Sequence, residues 1–179
     1  MSAWRRVLRL ALTLATVCCG LSLAPAALAN NLEKTEIALD LDFVNPVAKS
    51  SVDAGGGGAL RVGQQLDLVA LSLTGEFGLG YHSFGGAAEP RDYTAFAGGR
   101  LAIGKILEPG VFVHVGASRL VGNFVSTWAP MMDLGLSLDL TVFPLVDIGL
   151  HGTYVHRFPT TEGSVFRYMI VGPHVALMF

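Results

Sequence analysis

The chain has 179 residues with 12 basic and 14 acidic side chains, 51% hydrophobic residues, 22 glycines and two cysteines. That length suits one domain, and the slightly acidic balance argues against nucleic acid or an anionic surface as partner. No phosphate-binding loop, zinc-ligand spacing or nucleic-acid motif is present, so no cofactor and no metal is expected.

The N-terminus opens on Arg5, Arg6 and Arg9, continues through an apolar run from Val7 to Leu28 and ends in Ala27-Leu28-Ala29. A basic start, an apolar middle and a small-residue exit predict a signal peptide over residues 1–29, cut before Asn30; an uncleaved membrane anchor is the alternative. Cys18 and Cys19 both lie in this segment, so the mature chain has no disulfide or thiol chemistry. The residues before them, Ala15-Thr16-Val17, do not form a lipoprotein acylation box. Three of the twelve basic residues leave with the signal and none of the acidic ones, so nine face fourteen and the net charge falls near −5.

The 30–179 segment shows no helical period. It shows stretches of alternating apolar and polar or small residues separated by turn signals, which predicts strands. Strand one, Glu36–Phe43, puts Ile37, Leu39, Leu41 and Phe43 on one face and Glu36, Ala38, Asp40 and Asp42 on the other. A loop containing Asn45-Pro46 and the run Gly55–Gly58 follows. Strand two is expected over Leu60–Leu68, with Gln64 interrupting its apolar stripe, and strand three over Leu71–Phe84 after a reversal near Val69 that lacks a good turn residue. Strand four spans Tyr93–Ile103, and Glu108-Pro109-Gly110 reads as a turn before strand five, Val111–Ser118. Strand six, Trp128–Leu140, and strand seven, Val146–His156, flank a tight turn at Val142–Leu145. Strand eight, Val165–Phe179, carries Met169, Val171, Pro173, Val175, Leu177 and Phe179 as an unbroken stripe, and Gly172-Pro173 within it rules against a helix.

Eight strands alternate short turns (near 70, 107 and 143) with longer loops (near 50, 88, 123 and 160), as in a small transmembrane barrel. Aromatics gather toward the loop ends (Phe43, Tyr81, Phe84, Tyr93, Trp128, Tyr154, Phe158), with Phe143 and Phe179 at the opposite rim. Alternation alone also fits a soluble, lipocalin-like barrel with its apolar face inward. The second face decides between them. A water-facing exterior is rich in Lys, Glu and Thr, whereas this one is mostly Gly, Ala and Ser with isolated charges, and Lys34, Lys49 and Lys105 all fall outside strand cores. Small residues suit the narrow interior of eight strands, and the apolar face then meets lipid.

With the signal peptide, this pattern and the terminal Phe179, the chain resembles the small eight-stranded outer-membrane barrels of the OmpA transmembrane-domain and OmpX group across residues 30–179. The resemblance implies an all-β, eight-stranded antiparallel up-and-down transmembrane barrel in the outer membrane of a Gram-negative bacterium. It also implies that outer-membrane lipid surrounds a monomer, and that the barrel-assembly machinery reads Val175, Leu177 and Phe179 of the last strand.

Most strand charges lie in the inward phase and define a candidate lumen network of Asp40, Glu76, Arg100, His114, Asp139, Asp147 and His174. Antiparallel pairing suggests Glu76 beside Arg100, His114 next to Arg100, His174 facing Asp40, and Asp139 opposite Asp147. Such a network fits a gate, a proton path or a cation site. It equally fits the plain requirement that buried charges be paired, which is favoured here. The two facing carboxylates would raise one another's pKa, yet a metal between them is not expected. No catalytic residue is identified. A lipid-modifying barrel enzyme needs a Ser within hydrogen-bond reach of a His. His82 and Ser83 face opposite sides, and His114 and Ser118 stand roughly 13 Å apart along one strand. The expected function is a closed barrel with a structural or surface-interaction role. A narrow, porin-like channel for ions or small solutes is the alternative, opposed by the inward-phase Phe96, Phe112, Phe166 and Tyr168.

Overall fold

The computed structural model describes residues 33–47, 52–87, 89–122, 126–143, 145–159 and 165–179. Residues 1–29, expected as a signal peptide, and Lys49, Asn123 and Pro144 lie outside them. Eight strands run in chain order: β1 (Glu33–Pro46), β2 (Val52–Leu68), β3 (Leu71–Gly86), β4 (Arg91–Ile103), β5 (Leu107–Val121), β6 (Ser126–Phe143), β7 (Val146–Arg157) and β8 (Phe166–Met178). Each pairs antiparallel with its sequence neighbour and β8 returns to β1, so the sheet is a closed barrel. Closure leaves no edge for another chain to extend. It ends in two reciprocal bonds, Thr35 N–H to the Phe179 carbonyl at 3.0 Å and Phe179 N–H to the Thr35 carbonyl at 2.9 Å.

Three boundaries differ from the sequence reading. Asn45-Pro46 ends β1, opposite Met169 and Tyr168 of β8, and is not in a loop. Gly55–Gly58 belongs to β2, paired with Gly58↔Tyr81 and Gly55↔Phe84 on β3, and is not a loop. Glu108-Pro109-Gly110 lies inside β5, opposite Asp139, Leu138 and Ser137 of β6. The reversal before β5 falls instead at Gly104, whose φ of +130° suits a residue without a Cβ. Before β3 the chain turns at Val69-Ala70 with Val69 at φ 56°, an unusual state for a β-branched residue. Pro173 is accommodated where the β8–β1 ladder runs from Asp40↔His174 directly to Phe43↔Val171, so its missing donor coincides with a gap in pairing.

Alternation sends one side chain in two to each face. Outward stand Leu39, Phe77, Leu79, Val113, Leu134, Leu136, Leu150 and Val171 and their neighbours, all exposed. An exposed apolar belt that runs round the whole barrel is far larger than soluble monomers tolerate, and each strand exceeds the roughly 9–11 residues needed to cross a bilayer. Phe43, Tyr81, Tyr93, Trp128 and Phe158 lie outside toward the loop end, and Phe143 and Phe179 outside at the other; Tyr154, also outside, lies deeper than the expected girdle, opposite Leu134 midway along β6. Tyr81 and Tyr93 pack with ring centroids 5.2 Å apart. Phe84 departs from the expected girdle: it is buried inside the barrel, because its parity is that of His82 rather than of Tyr81.

Candidate functional site

Inside the barrel, glycines and alanines make room and large side chains fill it. The Phe96 ring lies where a Cβ on Gly78 would sit, and the Phe112 ring does the same over Gly135. Around these rings the described residues include seven buried carboxylates: Glu36, Asp40, Asp42, Glu76, Asp92, Asp133 and Asp139. Three buried guanidiniums, Arg61, Arg100 and Arg157, oppose them, leaving a formal excess of four negative charges. A charge taken out of water must be paired and hydrogen-bonded, and nearly every one here is.

At the centre, Arg61 forks onto Asp40, Nε to Oδ2 at 2.8 Å and Nη2 to Oδ1 at 2.9 Å, while Nη1 donates to Glu76 Oε2 at 2.7 Å. This fork-on-carboxylate geometry is specific to arginine. Arg100 reaches across the barrel, donating to Glu36 on β1 and to Asp139 on β6, the latter at 3.1 Å. His114 meets Asp133 Oδ1 through Nδ1 at 2.7 Å, with Nε2 3.3 Å from Glu76 Oε1. His174 Nε2 lies 2.5 Å from Asp139 Oδ1. Nearer the loops, Asp42 takes both His82 Nε2 at 2.7 Å and His151 Nε2 at 3.0 Å.

The loop end is closed by an apolar plug in which Val44, Phe84, Met131, Val155, Tyr168 and Ile170 pack together, with Val52 and Phe166 against it. Polar groups thread this plug. The Tyr168 hydroxyl donates to Asp92 Oδ2 at 2.9 Å, Ser118 donates to Asp92 Oδ1, and Arg157 Nε donates to Ser118 Oγ at 2.7 Å. Between plug and central network lies a cavity of about 50 Å³ lined by Asp40, Asp42, Arg61, His82 and His151 among others, room for a few water molecules.

The structure thus brings Asp40, Glu76, Arg100, His114, Asp139 and His174 into one buried network. The proposed pairs fare differently. His174 does face Asp40 in register, although its hydrogen bond goes to Asp139. Glu76 sits opposite Gly98, and Arg100 opposite Thr74, so Glu76 is bonded by Arg61 rather than Arg100. His114 likewise sits opposite Gly98, and Arg100 opposite Phe112. Asp139 faces Gly149, while Asp147 faces Thr141 and is only partly buried near the short-turn end, so the facing carboxylate pair does not form. Val175, Leu177 and Phe179 are exposed on the outer face. The sequence reading missed Glu36, Arg61, Asp42, His82, His151, Asp92, Asp133 and Arg157 as members. Their inward parity was the available signal. Of the serine and histidine residues weighed above, His82 meets Asp42, and Ser118 meets Asp92 and Arg157.

No family model and no curated protein matches the sequence. Solved structures do match in fold. Neisserial surface protein A superposes with a TM-score of 0.59 at 10% identity, covering 82% of this chain and 97% of that one. Ail, the attachment invasion locus protein of Yersinia pestis, gives 0.52 at 12% identity over 84% and 100%. A major outer membrane protein from Thermus thermophilus gives 0.51 at 12% identity over 82% and 99%. Identities this low speak for the fold alone, which is that of the small eight-stranded outer-membrane β-barrels.

Proposed function

We propose that the protein resides in a Gram-negative outer membrane as a monomeric barrel with a structural or surface-interaction role, closed to solutes and without enzymatic activity. The observation that carries this reading is the stacking of two obstructions: the apolar plug of Val44, Phe84, Met131, Val155, Tyr168 and Ile170 above the ion network around Arg61 and Arg100. A solute would have to displace both. Surrounding lipid follows from the exposed apolar belt, and Val175, Leu177 and Phe179 on the last strand are the recognition stripe for the assembly machinery.

Three measurements test it. Cell fractionation should place the protein in the outer membrane, with an unboiled sample migrating faster than a boiled one on a denaturing gel; recovery from the periplasm as a single unchanged band would overturn the reading. In planar bilayers the wild-type barrel should show no single-channel steps. A clear step, lost or enlarged on Glu76→Ala or Arg100→Ala, would instead establish the narrow-channel alternative. Lipid A from overexpressing cells should keep its mass, and a change abolished by His114→Ala would revive the enzyme.

A further inference from the structure

Among the buried nitrogens without a hydrogen-bond partner are Nδ1 of His82, His151 and His174, and two of these rings are neighbours. His151 and His174 stand on neighbouring strands with ring centroids 5.6 Å apart, and their side chains are 8% and 1% exposed. Each uses Nε2 on a carboxylate, Asp42 for His151 and Asp139 for His174. Each leaves Nδ1 buried with no hydrogen-bond partner. Buried polar atoms without partners are rare and need a reason. Asp40, directly opposite His174, completes a group in which one donor atom from each of the three residues lies within 4.8 Å of the other two.

We propose that Asp40, His151 and His174 form a binding site for a divalent transition-metal ion of the zinc class within the barrel. Three features support it beyond proximity. A histidine that ligates metal through one nitrogen almost always donates the other N–H to a carboxylate, which fixes the tautomer and aims the lone pair. With Nδ1 as the ligand atom both rings would have that arrangement, since Nε2 of His151 meets Asp42 and Nε2 of His174 meets Asp139. Imidazole with carboxylate suits zinc, nickel or copper rather than calcium or magnesium, which take oxygen ligands. Guanidiniums number three against seven buried carboxylates, and Asp42 is met only by imidazoles, so a dication beside it has a compensating role in a space where uncompensated charge is expensive.

Asp40 already accepts the Arg61 fork, but two carboxylate oxygens offer about four lone-pair positions, so a metal bond is compatible with it. Four-coordinate zinc at about 2.0–2.2 Å holds its donors roughly 3.3–3.6 Å apart. The three atoms, within 4.8 Å of one another, therefore close in by up to about 1.2–1.5 Å on binding. The adjoining cavity, lined by Asp40 and His151, leaves room for a water as fourth ligand. The sequence alone predicts no metal here, because the ligands come from three strands with no spacing motif.

The test is zinc titration of the full-length barrel folded in metal-free detergent, by calorimetry and by metal analysis after gel filtration, with cobalt as a visible-absorbing substitute. One ion should bind per barrel, and the cobalt form should show the bands of four-coordinate geometry. His151→Gln and His174→Gln should each weaken binding by about a hundredfold or more, and Asp42→Asn by about 10–100-fold through lost orientation. His156→Gln, whose ring packs on Phe158 at 4.8 Å, should bind as wild type. Folding of each variant is checked by heat-modifiable migration. Should a ligand variant not fold, nitrogen NMR of the wild type must show zinc shifting two imidazoles. Absence of saturable zinc uptake by the folded wild type, uptake that survives both His151→Gln and His174→Gln, or uptake lost on His156→Gln would overturn the site.

Discussion

Arg61→Ala should destabilise the folded barrel by about 3–5 kcal/mol, the usual consequence of removing one partner from a buried ion pair. Arg61 is 8% exposed and holds two carboxylates at once, Asp40 bidentately and Glu76 singly. Without it Asp40 loses its hydrogen bonds, and Glu76 keeps only His114, 3.3 Å away. Arg61→Lys should recover part of the loss and no more, because an ammonium on a flexible stem cannot present the planar fork that spans both acids. The triple change Arg61→Met, Asp40→Asn, Glu76→Gln should recover most of it, since it removes the uncompensated charges together with the arginine. Lys34→Ala gives the scale for comparison. Its pair with Asp67 at 2.9 Å is 43% and 33% exposed, and such pairs are worth about 0.2–1 kcal/mol. Urea unfolding in lipid vesicles, followed by Trp128 fluorescence and by heat-modifiable migration, measures all four. If Arg61→Ala costs no more than Lys34→Ala, the interior is well hydrated and the closed-lumen reading weakens with it.

The architecture was legible because a strand announces itself twice, once in period and once in the contrast between its faces. Leu134, Leu136 and Leu138 against Asp133, Gly135 and Ser137 settle which side of β6 is which, whatever its neighbours do. Charge pairing is a finer question. Shifting a strand by two residues returns every side chain to its own face while giving it a new neighbour. The expected partners failed by that interval: Glu76 lies opposite Gly98 rather than Arg100, and Asp139 opposite Gly149 rather than Asp147. Where the register was read correctly, at Asp40 and His174, the hydrogen bond still went elsewhere. A narrow barrel lets a long side chain cross the interior, as Arg100 does from β4 to Glu36 on β1 and Asp139 on β6. No pairwise strand argument reaches such contacts. Composition misled at two of the three shifted boundaries for a related reason. Gly55–Gly58 and Glu108-Pro109-Gly110 look like breakers, but a closed barrel needs small residues at crowded points, and Pro109 keeps its place in the ladder opposite Leu138.

Leu134→Arg should cost about 2–4 kcal/mol in a bilayer, while Phe143→Arg should cost only about 0–1 kcal/mol. Both residues are on β6 and both point outward, 58% and 64% exposed. They differ in depth. Leu134 is midway along the strand, beside Val113 of β5 and Tyr154 of β7, and Phe143 is at the short-turn rim. Arginine at the middle must carry its charge into hydrocarbon, whereas at the rim it extends to the headgroups. In a soluble barrel the two changes would be alike, each within about 0.5 kcal/mol as for most surface substitutions, because water meets both equally. Unfolding of the two variants in vesicles, compared with wild type, therefore reads the environment of the outer face directly. A steep difference between middle and rim means that lipid surrounds the belt. Equal, small effects would mean that some other cover lies over the apolar face, and the arginine scan would then map its extent.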